Sequence, residues 1–273
     1  MKCGILIYDK FGAQRNKWFI EKLISSAKDY DLILRLIIFD NIKNFRINEK
    51  IDFAIVRTIS PKLVKYLNKR GIKTFNNVHT SLISNDKWKT YKLLKKLNLP
   101  TMDTEKISLK RPFPKKLAFP LILKSTDGHG GSEVFFVKNK EEIINAIVKA
   151  GIDKNYILQQ PCDTLGKDCR AYILNDKVLA MILRTSSSDF RSNYSLGGDI
   201  SIYDDITNQK IILDAVNKIQ KKLKSDFIGI DFIFNNDTVV VNEIEDVVGC
   251  RMLYSLTKIE AHTELLKHIK NSL

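Results

Sequence analysis

The sequence predicts a mixed α/β protein, in which a small parallel α/β unit precedes two units built on antiparallel sheets. Three observations predict this class. β-Branched runs alternate with helical segments before residue 85, strands joined by tight turns dominate after residue 120, and 273 residues exceed the usual size of one domain. We therefore expect three units, at residues 1–85, 86–158 and 159–273.

The first unit is predicted by three short strands, at 3–8, 34–39 and 52–57, with helical segments at about 14–28 and 60–70. Strands that alternate with helices pair in parallel, because each helix carries the chain back to the same end of the sheet. The unit should therefore be a small parallel sheet covered by helices.

A helix should open the second unit. Ser84 or Asn85 can cap its first turn, and Pro100 stops it. Its apolar positions recur at three-residue steps, at Trp88, Tyr91, Leu94 and Leu97. The remaining elements are strands at 120–124, 133–137 and 155–160 and a helix near 139–149.

The third unit contains the strand patterns "CRAYIL", "KVLAMILR", "FIGIDFIF" and "TVVVNEI", with helices at about 208–224 and 254–271. The short turn "LND" at 174–176 joins two of these strands, which predicts antiparallel pairing. The third unit should therefore be an antiparallel sheet that ends with one closing helix.

The net charge of +14 suggests a nucleic-acid partner, but the kinds of basic residue that produce this charge argue against one. Only 10 of the 45 basic residues are arginine, the residue suited to bidentate recognition of phosphates and bases, and the lysines are spread over helix faces. No apolar run reaches about 18 residues, and the first apolar stretch is too short for a signal peptide. Four scattered cysteines form no zinc or disulfide pattern. We expect a cytoplasmic protein without a membrane or nucleic-acid partner.

The segment "VVVNEIEDVVG", residues 239–249, begins with apolar residues and continues with a cluster of acidic residues. Glu243 and Glu245 share one strand face, and Asp231 on the preceding strand lies opposite Glu243 if the joining loop has three or five residues. Clustered carboxylates repel one another unless a cation lies between them, and Mg²⁺ prefers such oxygen ligands. Two interpretations stand on these residues alone: a magnesium site or a solvent-exposed acidic turn.

A glycine loop links two strands of the second unit. Lys124 ends the first strand, and Gly128, Gly130 and Gly131 follow in the loop. Glycines let backbone amides approach phosphate oxygens closely, and a lysine adds positive charge. The lysine precedes the glycines and no helix follows, so the loop is not a Walker A motif. By itself, the segment indicates an ordinary hairpin turn more than a phosphate-binding loop.

The order and spacing of several segments resemble those of the ATP-grasp carboxylate-amine ligases, and most closely the branch of the ligase that adds glutamates to a ribosomal protein. The resemblance covers about residues 85–255, and its segments are "NDKWKTYKLL", "DGHGG", "YILQQPC", "GKDCRAYIL", "DFRSNYSLGGDIS", "GIDFIF" and "NEIEDVVGCR". It implies the ATP-grasp fold, in which the nucleotide lies between two antiparallel sheets, with a small α/β domain before it.

The resemblance also implies roles for particular residues. Lys87 and Lys124 would contact the ATP phosphates under the glycine loop, and Asp168 would lie near the ribose. The adenine-side hinge would be formed by Gln159, Gln160, Pro161 and Cys162. Asp231, Glu243 and Glu245 would hold one or two Mg²⁺ ions, with Mn²⁺ as the alternative metal. Glu245 departs from the Asn that the family often has, and Gln160 and Pro161 replace a common acidic and aromatic pair.

The implied activity joins a carboxylate to an amine through an acyl phosphate, with release of ADP and phosphate. The candidates for stabilising the reacting charges are Arg191, Asn193, Arg170 and Arg251. Arg184 is expected to form a surface salt bridge. The alternatives are an enzyme of this fold with another phosphoryl acceptor and a basic nucleic-acid-binding protein. The sequence does not identify the acid or the amine, and a homodimer is the default expectation.

Overall fold

The computed structural model describes residues 1–107, 116–192 and 197–273. Within these ranges the strands form one parallel sheet and two antiparallel sheets, which confirms the mixed α/β prediction. The predicted boundaries after residues 85 and 158 stay predictions. No helix in the ranges just given has the length and apolar character needed to cross a membrane.

The parallel sheet has four strands in the order β2-β1-β3-β4. They are β1 (Lys2–Tyr8), β2 (Leu32–Ile38), β3 (Phe53–Val56) and β4 (Lys73–Phe75). Its helices are α1 (Lys10–Arg15), α2 (Lys17–Ala27), α3 (Pro61–Lys69) and α4 (Val78–Ser84). The helical segment predicted at about 14–28 is confirmed by α2, but α1, which precedes it, was not predicted. Asn16 separates them, because its side chain donates a hydrogen bond to Gly12 O at 2.8 Å and caps α1.

The central sheet is antiparallel, with the order β5-β8-β6-β7. Its strands are β5 (Thr104–Ile107), β6 (Leu121–Ser125), β7 (Val134–Val137) and β8 (Tyr156–Gln159), and helix α6 (Lys140–Ala150) packs on it. Helix α5 (Lys87–Lys96) comes before this sheet in the chain and packs on the third sheet. The predicted cap of α5 is wrong. Asp86 accepts the capping hydrogen bond from Lys89 N, because Ser84 and Asn85 end the preceding helix α4.

The third sheet has five antiparallel strands in the order β11-β10-β9-β12-β13. They are β9 (Lys167–Leu174), β10 (Lys177–Thr185), β11 (Asp199–Ile202), β12 (Phe227–Asn235) and β13 (Thr238–Glu245). Three helices accompany them: α7 (Ile206–Leu223), α8 (Arg251–Leu256) and α9 (Ala261–Ser272).

The single closing helix predicted at 254–271 is wrong, because Thr257 adopts an extended backbone and ends α8. The Thr257 hydroxyl donates to Leu253 O at 2.7 Å and accepts from Ile259 N at 3.1 Å. Tyr254 then accepts a hydrogen bond from His262 N in the first turn of α9. Side-chain bonds of this kind compete with helical hydrogen bonds and stabilise the break.

One hydrophobic core connects the parallel sheet to the five-stranded sheet. It contains Leu6 and Phe75 from the parallel sheet, Tyr172 from β9, and Leu265 and Ile269 from α9. A second core lies on the other face of the five-stranded sheet, beneath α5 and α7, while the central sheet packs on α6 in a core of its own. The parallel sheet and the five-stranded sheet are therefore packed together, which fixes the end of β13 beside the first lobe, residues 1–85.

Candidate active site

A large pocket lies between the central sheet and the five-stranded sheet, with a volume of about 900 Å³ that includes its open mouth. We call it the first pocket. The predicted residues that line it are Lys87, Lys124, Gly128, Gly130, Gly131, Gln159, Gln160, Pro161, Cys162, Asp168, Arg191, Asp231, Glu243 and Glu245. The two antiparallel sheets thus bring together side chains that are as far apart in sequence as Lys87 and Glu245.

Asp231 lies opposite Glu243 as predicted, but the predicted loop length is wrong. The hairpin turn has only two residues, Asn236 and Asp237, with left-handed φ angles of 50° and 58°. Asp231 reaches Glu243 because a β-bulge shifts the register by one residue, so Phe232 pairs with Val241. The bulge leaves Asn242 unpaired and turns it toward the first pocket, where the sequence predicted no functional residue.

Two buried arginines bind the carboxylates at the bottom of the first pocket. Arg170 donates two hydrogen bonds of 2.7 Å to Asp231 and one of 2.6 Å to Glu245. Arg184 donates to Asp168 and to Asp231, the latter at 2.9 Å. The prediction of a surface salt bridge for Arg184 is wrong, because only 2% of this residue is exposed.

These ion pairs set the protonation of the buried acids. Burial by itself would raise the pKa of Asp231, but Arg170 and Arg184 more than offset burial and hold this pKa well below its ordinary value. Burial likewise opposes ionisation of Glu243, yet Lys87 and Lys124 lower its pKa. For Glu245, burial together with the charges of Asp231 and Glu243 outweighs Arg170, so its pKa is raised.

The donor set at this strand end fits Mg²⁺ chemically, because Asp231, Glu243 and Glu245 offer the carboxylate oxygens that this ion prefers. In the geometry described here, each carboxylate has a cationic partner: Lys87 contacts Glu243 at 2.9 Å, and Arg170 holds the other two. Across the described parts of the chain, no three His, Cys, Asp or Glu side chains are arranged as metal ligands. For a metal ion to bind, the side chains of Lys87 and Arg170 would therefore have to move away from these carboxylates.

The two lysines are fixed by their neighbours. Lys124 donates to the side chains of Gln159 at 2.6 Å and Asn242 at 3.1 Å, while Lys87 donates to the carbonyl of Gly128 in the glycine loop. Burial lowers the pKa of Lys124 to about 8; Glu243 opposes this decrease and Lys87 adds to it. The bulge residue Asn242 therefore orients a lysine of the first pocket.

The glycine loop connects β6 to β7 over the mouth of the first pocket. Gly130 and Gly131 adopt left-handed φ angles of 67° and 79°, which other residues rarely adopt. Residues 186–192, which we call the flap, contact this loop, because Arg191 donates a hydrogen bond to Gly131 O at 2.6 Å. Arg191 also pairs with Asp189 within the flap. Asn193 lies outside the described residues.

Gly166 anchors the flap and was missed by the sequence analysis. Its φ of 71° and the closeness of Ser186 O, 2.6 Å from where a Cβ would lie, require glycine. Gly166 N donates to Phe190 O at 2.9 Å, and Ser186 N donates to Gly166 O at 2.7 Å. The segment "GKDC" contained this residue, but glycine alone gives no signal of a contact 20 residues away.

The residues predicted to form the adenine-side hinge make different kinds of contact. Gln160 N donates to Asp103 O at 2.9 Å, and Pro161 has no N–H to offer. The Gln159 side chain holds Lys124, as described above. Cys162 lines the pocket, and its thiol contacts Thr164 O at 3.5 Å.

Arg251, at the start of α8, lines a second pocket rather than the first. The second pocket lies between the first lobe and the end of β13, and its volume is about 1120 Å³ with its open mouth. His129, Gly130 and Glu245 line both pockets. The two cavities therefore meet at the glycine loop and the last carboxylate of β13.

Comparison with solved structures supports the fold. The D-alanine–D-alanine ligase from Bacillus anthracis, solved with ATP, superposes with a TM-score of 0.78 at 18% identity, over 99% of this chain and 96% of that one. The RimK domain ATP-grasp protein of Sphaerobacter thermophilus gives 0.72 at 13% identity, over 98% of both chains. The predicted ATP-grasp fold is thus confirmed.

Comparison with sequences identifies relatives. The MG011 homolog of Mycoplasma pneumoniae is 33% identical over 92% of this chain and 86% of its own length. Human N-acetylaspartylglutamate synthase A is 29% identical over 72% of this chain and 54% of its own. The model of the RimK-like ATP-grasp domain matches residues 84–269, in agreement with the resemblance seen in the sequence. The chain therefore belongs to the RimK-like ATP-grasp family.

Proposed function

We propose that this protein is an ATP-dependent ligase that forms an amide or peptide bond between a carboxylate and an amine. The observation that carries the proposal is the first pocket, in which two lysines and a glycine loop face three carboxylates. Glu243 and Glu245 lie at the end of β13, and Asp231 lies in the middle of β12, opposite Glu243. The names of relatives support it, since they include N-acetylaspartylglutamate synthase A and a probable alpha-L-glutamate ligase of Haemophilus ducreyi.

A carboxylate needs activation, because an amine that meets it only exchanges a proton. In the proposed reaction a carboxylate oxygen attacks the γ-phosphorus of ATP; an O–P bond forms, the β,γ-bridging P–O bond breaks, and ADP leaves. The amine nitrogen then attacks the acyl carbon, the C–O bond to phosphate breaks, and the nitrogen loses a proton. The protein contributes position and charge rather than a nucleophile.

Lys87 and Lys124 would bind the phosphate oxygens, with backbone groups of Gly128, Gly130 and Gly131 above them. Asp231, Glu243 and Glu245 would hold Mg²⁺ or Mn²⁺, which supplies charge neutralisation of the phosphates when bound. The backbone N–H of Cys162 would donate the hinge hydrogen bond to adenine, because Gln160 N already donates to Asp103 O. Asp168 would reach the ribose only if Arg184 releases one of its oxygens.

The arginines would act in different ways. Arg191 lies where the flap contacts the glycine loop, so it would reach a phosphate that moves beneath Gly131. Arg170 is occupied by Asp231 and Glu245, so it would act as a positioning residue for these carboxylates. Arg251 would contact substrate in the second pocket.

We expect the melting temperature to rise with ATP and Mg²⁺ together by more than with either alone, because ligands that bind only the folded state stabilise it. Differential scanning fluorimetry measures this shift. ADP release, followed with a coupled assay over a panel of acids and amines, then tests ligation. A protein that neither shifts with millimolar ATP and Mg²⁺ nor releases ADP with any acid would contradict the proposal.

The pKa of Lys124 predicts the pH dependence of nucleotide binding in EDTA. ATP binds the protonated lysine better, and since burial lowers its pKa to about 8, the affinity should fall as pH rises through 8. The Lys124→Met variant should bind ATP more weakly at pH 7 and lose this decline. Isothermal titration at pH 7, 8 and 9 measures both effects, and a decline that persists in the variant would point to another group.

A further inference from the structure

The proposed ligation needs a proton acceptor that the groups described so far do not provide. A peptide α-amino group has a pKa of about 7.7–8.0, so most of it is an ammonium ion at pH 7. An ammonium nitrogen has no electron pair with which to attack an acyl carbon. The amine must therefore lose a proton before it attacks, and the acceptor has to lie within hydrogen-bond distance of its nitrogen.

The attack would take place where the two pockets meet. The lysines and carboxylates proposed to hold the phosphates and the metal lie in the first pocket, and the second pocket opens beside them at Glu245. Two residues of the glycine loop, His129 and Gly130, line both pockets at the same point. Among the residues that the structure describes, His129 is the one histidine that lines either pocket.

The ring of His129 has no partner in the free protein. Its Nε2 is buried without a hydrogen bond to any described residue, and no ion pair in the described parts of the chain includes the ring. The backbone carbonyl of His129 accepts from the Ser132 hydroxyl at 3.2 Å, which holds the loop and leaves the imidazole free. Buried polar atoms nearly always have a partner, so this ring is suited to a group that arrives with the substrates.

The surroundings of His129 keep the ring neutral. Burial lowers its pKa, and the positive charge of Lys87 lowers it further. The carboxylates of Glu243, Asp127 and Glu133 act in the opposite direction but do not offset burial. At pH 7 the imidazole is therefore uncharged, and one of its nitrogens can accept a proton.

The other acceptors around the two pockets are occupied or protonated. The carboxylates described in the first pocket pair with arginine or lysine. In the second pocket, Asp9 accepts hydrogen bonds of 2.7 and 3.2 Å, and each oxygen of Asp246 accepts one, at 2.8 and 2.9 Å. Burial raises the pKa of the Tyr8 hydroxyl and of the Cys162 thiol, so both keep their protons at pH 7.

We infer that His129 is a catalytic residue of the ligation step, in which its imidazole accepts a proton from the attacking amine where the two pockets meet. This inference rests on the proposed function. An N–H bond of the ammonium group breaks, its electron pair stays on nitrogen, and the proton passes to a ring nitrogen of His129. The amine then forms the bond to the acyl carbon, and the C–O bond to phosphate breaks with its electron pair on phosphate. The new amide nitrogen gives its second proton to the departing phosphate, and His129 releases the first to solvent.

Hydroxylamine separates this step from the phosphoryl step. It is mostly unprotonated at neutral pH, so it captures an acyl phosphate as a hydroxamate without the help of a base. The acid that gives the fastest ADP release in the panel is assayed first with its amine and then with hydroxylamine. At pH 7, His129→Gln should form amide about 100-fold more slowly than the wild type or less, because glutamine cannot take up the proton. It should form hydroxamate at a rate similar to that of the wild type.

The pH profile gives a second measurement of the same role. In the wild type, amide formation should increase as pH rises through the lowered pKa of His129 and then level off, because the ring accepts a proton only when it is neutral. In His129→Gln only the free amine can react, so the rate should increase by about tenfold per pH unit up to the pKa of the amine. His79→Gln is the matched control, since His79 is exposed on α4, lines neither pocket and should change neither rate nor profile.

The outcomes distinguish this inference from the proposed function. His129→Gln should keep the ATP-induced rise in melting temperature, which shows that the variant folds and binds nucleotide. Amide formation or a pH profile equal to that of the wild type overturns the inference. An equal loss of amide and hydroxamate also overturns it, because the residue would then act on the phosphoryl step. A wild type that releases no ADP with any acid overturns the proposed function, and this inference with it.

Discussion

The Glu243→Gln variant is expected to release ADP at least about 100-fold more slowly than the wild type, because it removes a charge from the set of carboxylates proposed to hold the metal. It should still fold, since glutamine keeps the shape of the side chain and its amide oxygen can accept a hydrogen bond from Lys87. Steady-state ADP release and the melting temperature measure the two effects.

The same variant should bind ATP more tightly than the wild type when metal is absent. Glu243 lies beside Lys87 and influences Lys124, so its removal leaves two lysines free to attract phosphate. Titration of ATP in EDTA checks this reversal. Asp237→Asn is the matched control, since it removes an exposed acid from the turn of the same hairpin and should change neither property. Near-normal turnover in Glu243→Gln would exclude Glu243 from the reaction site.

Arg170→Met is expected to lower the stability of the free protein by about 3–5 kcal/mol, because it leaves Asp231 and Glu245 with less compensation for their burial. For a chain of 273 residues such a loss lowers the melting temperature by roughly 5–9 °C. Thermal unfolding with calorimetric detection measures it. Arg35→Met is the control, because Arg35 and Glu49 form an exposed pair and its removal should cost under about 1 kcal/mol.

Two further measurements distinguish charge from packing in Arg170→Met. Adding Asp231→Asn should recover part of the lost stability, since the carboxylate that lost its partner is then neutral. Mg²⁺ should raise the melting temperature of Arg170→Met more than that of the wild type, because the arginine no longer competes with the metal for Asp231 and Glu245. A loss no larger than that in Arg35→Met would show that Arg170 does not stabilise this carboxylate cluster.

The elements with a clear local sequence pattern were predicted correctly. The β-branched runs at β1, β3, β12 and β13 and the apolar spacing of α7 gave their elements correctly. The strands β4 (KTF), β5 (TEKI) and β11 (DISI) were missed, because they lack the continuous apolar run that marks the equally short β3. The break at Thr257 was missed for another reason: it depends on the Thr257 hydroxyl and on contacts between Tyr254 and His262 that apolar spacing does not reveal.

The candidate site could be predicted in its residue types better than in its geometry. Asp231 and Glu243 were paired correctly, but the pairing depends on a bulge at Asn242 that alternation alone does not specify. Arg184 was misjudged because its burial is decided by Asp168 and Asp231, which lie 16 and 47 positions away in the chain.

The hydrophobic core shared by the parallel sheet and α9 affects how the protein folds during synthesis. Phe75 and Ala261 belong to that core and are separated by 186 residues. At about 5–20 residues per second, the ribosome needs roughly 10–40 s to synthesise the chain between Phe75 and Ala261. The parallel sheet has already been synthesised when this interval begins. During that interval the growing chain exposes the apolar surface that α9 later covers. Chaperone occupancy of nascent chains should therefore persist until α9 has emerged.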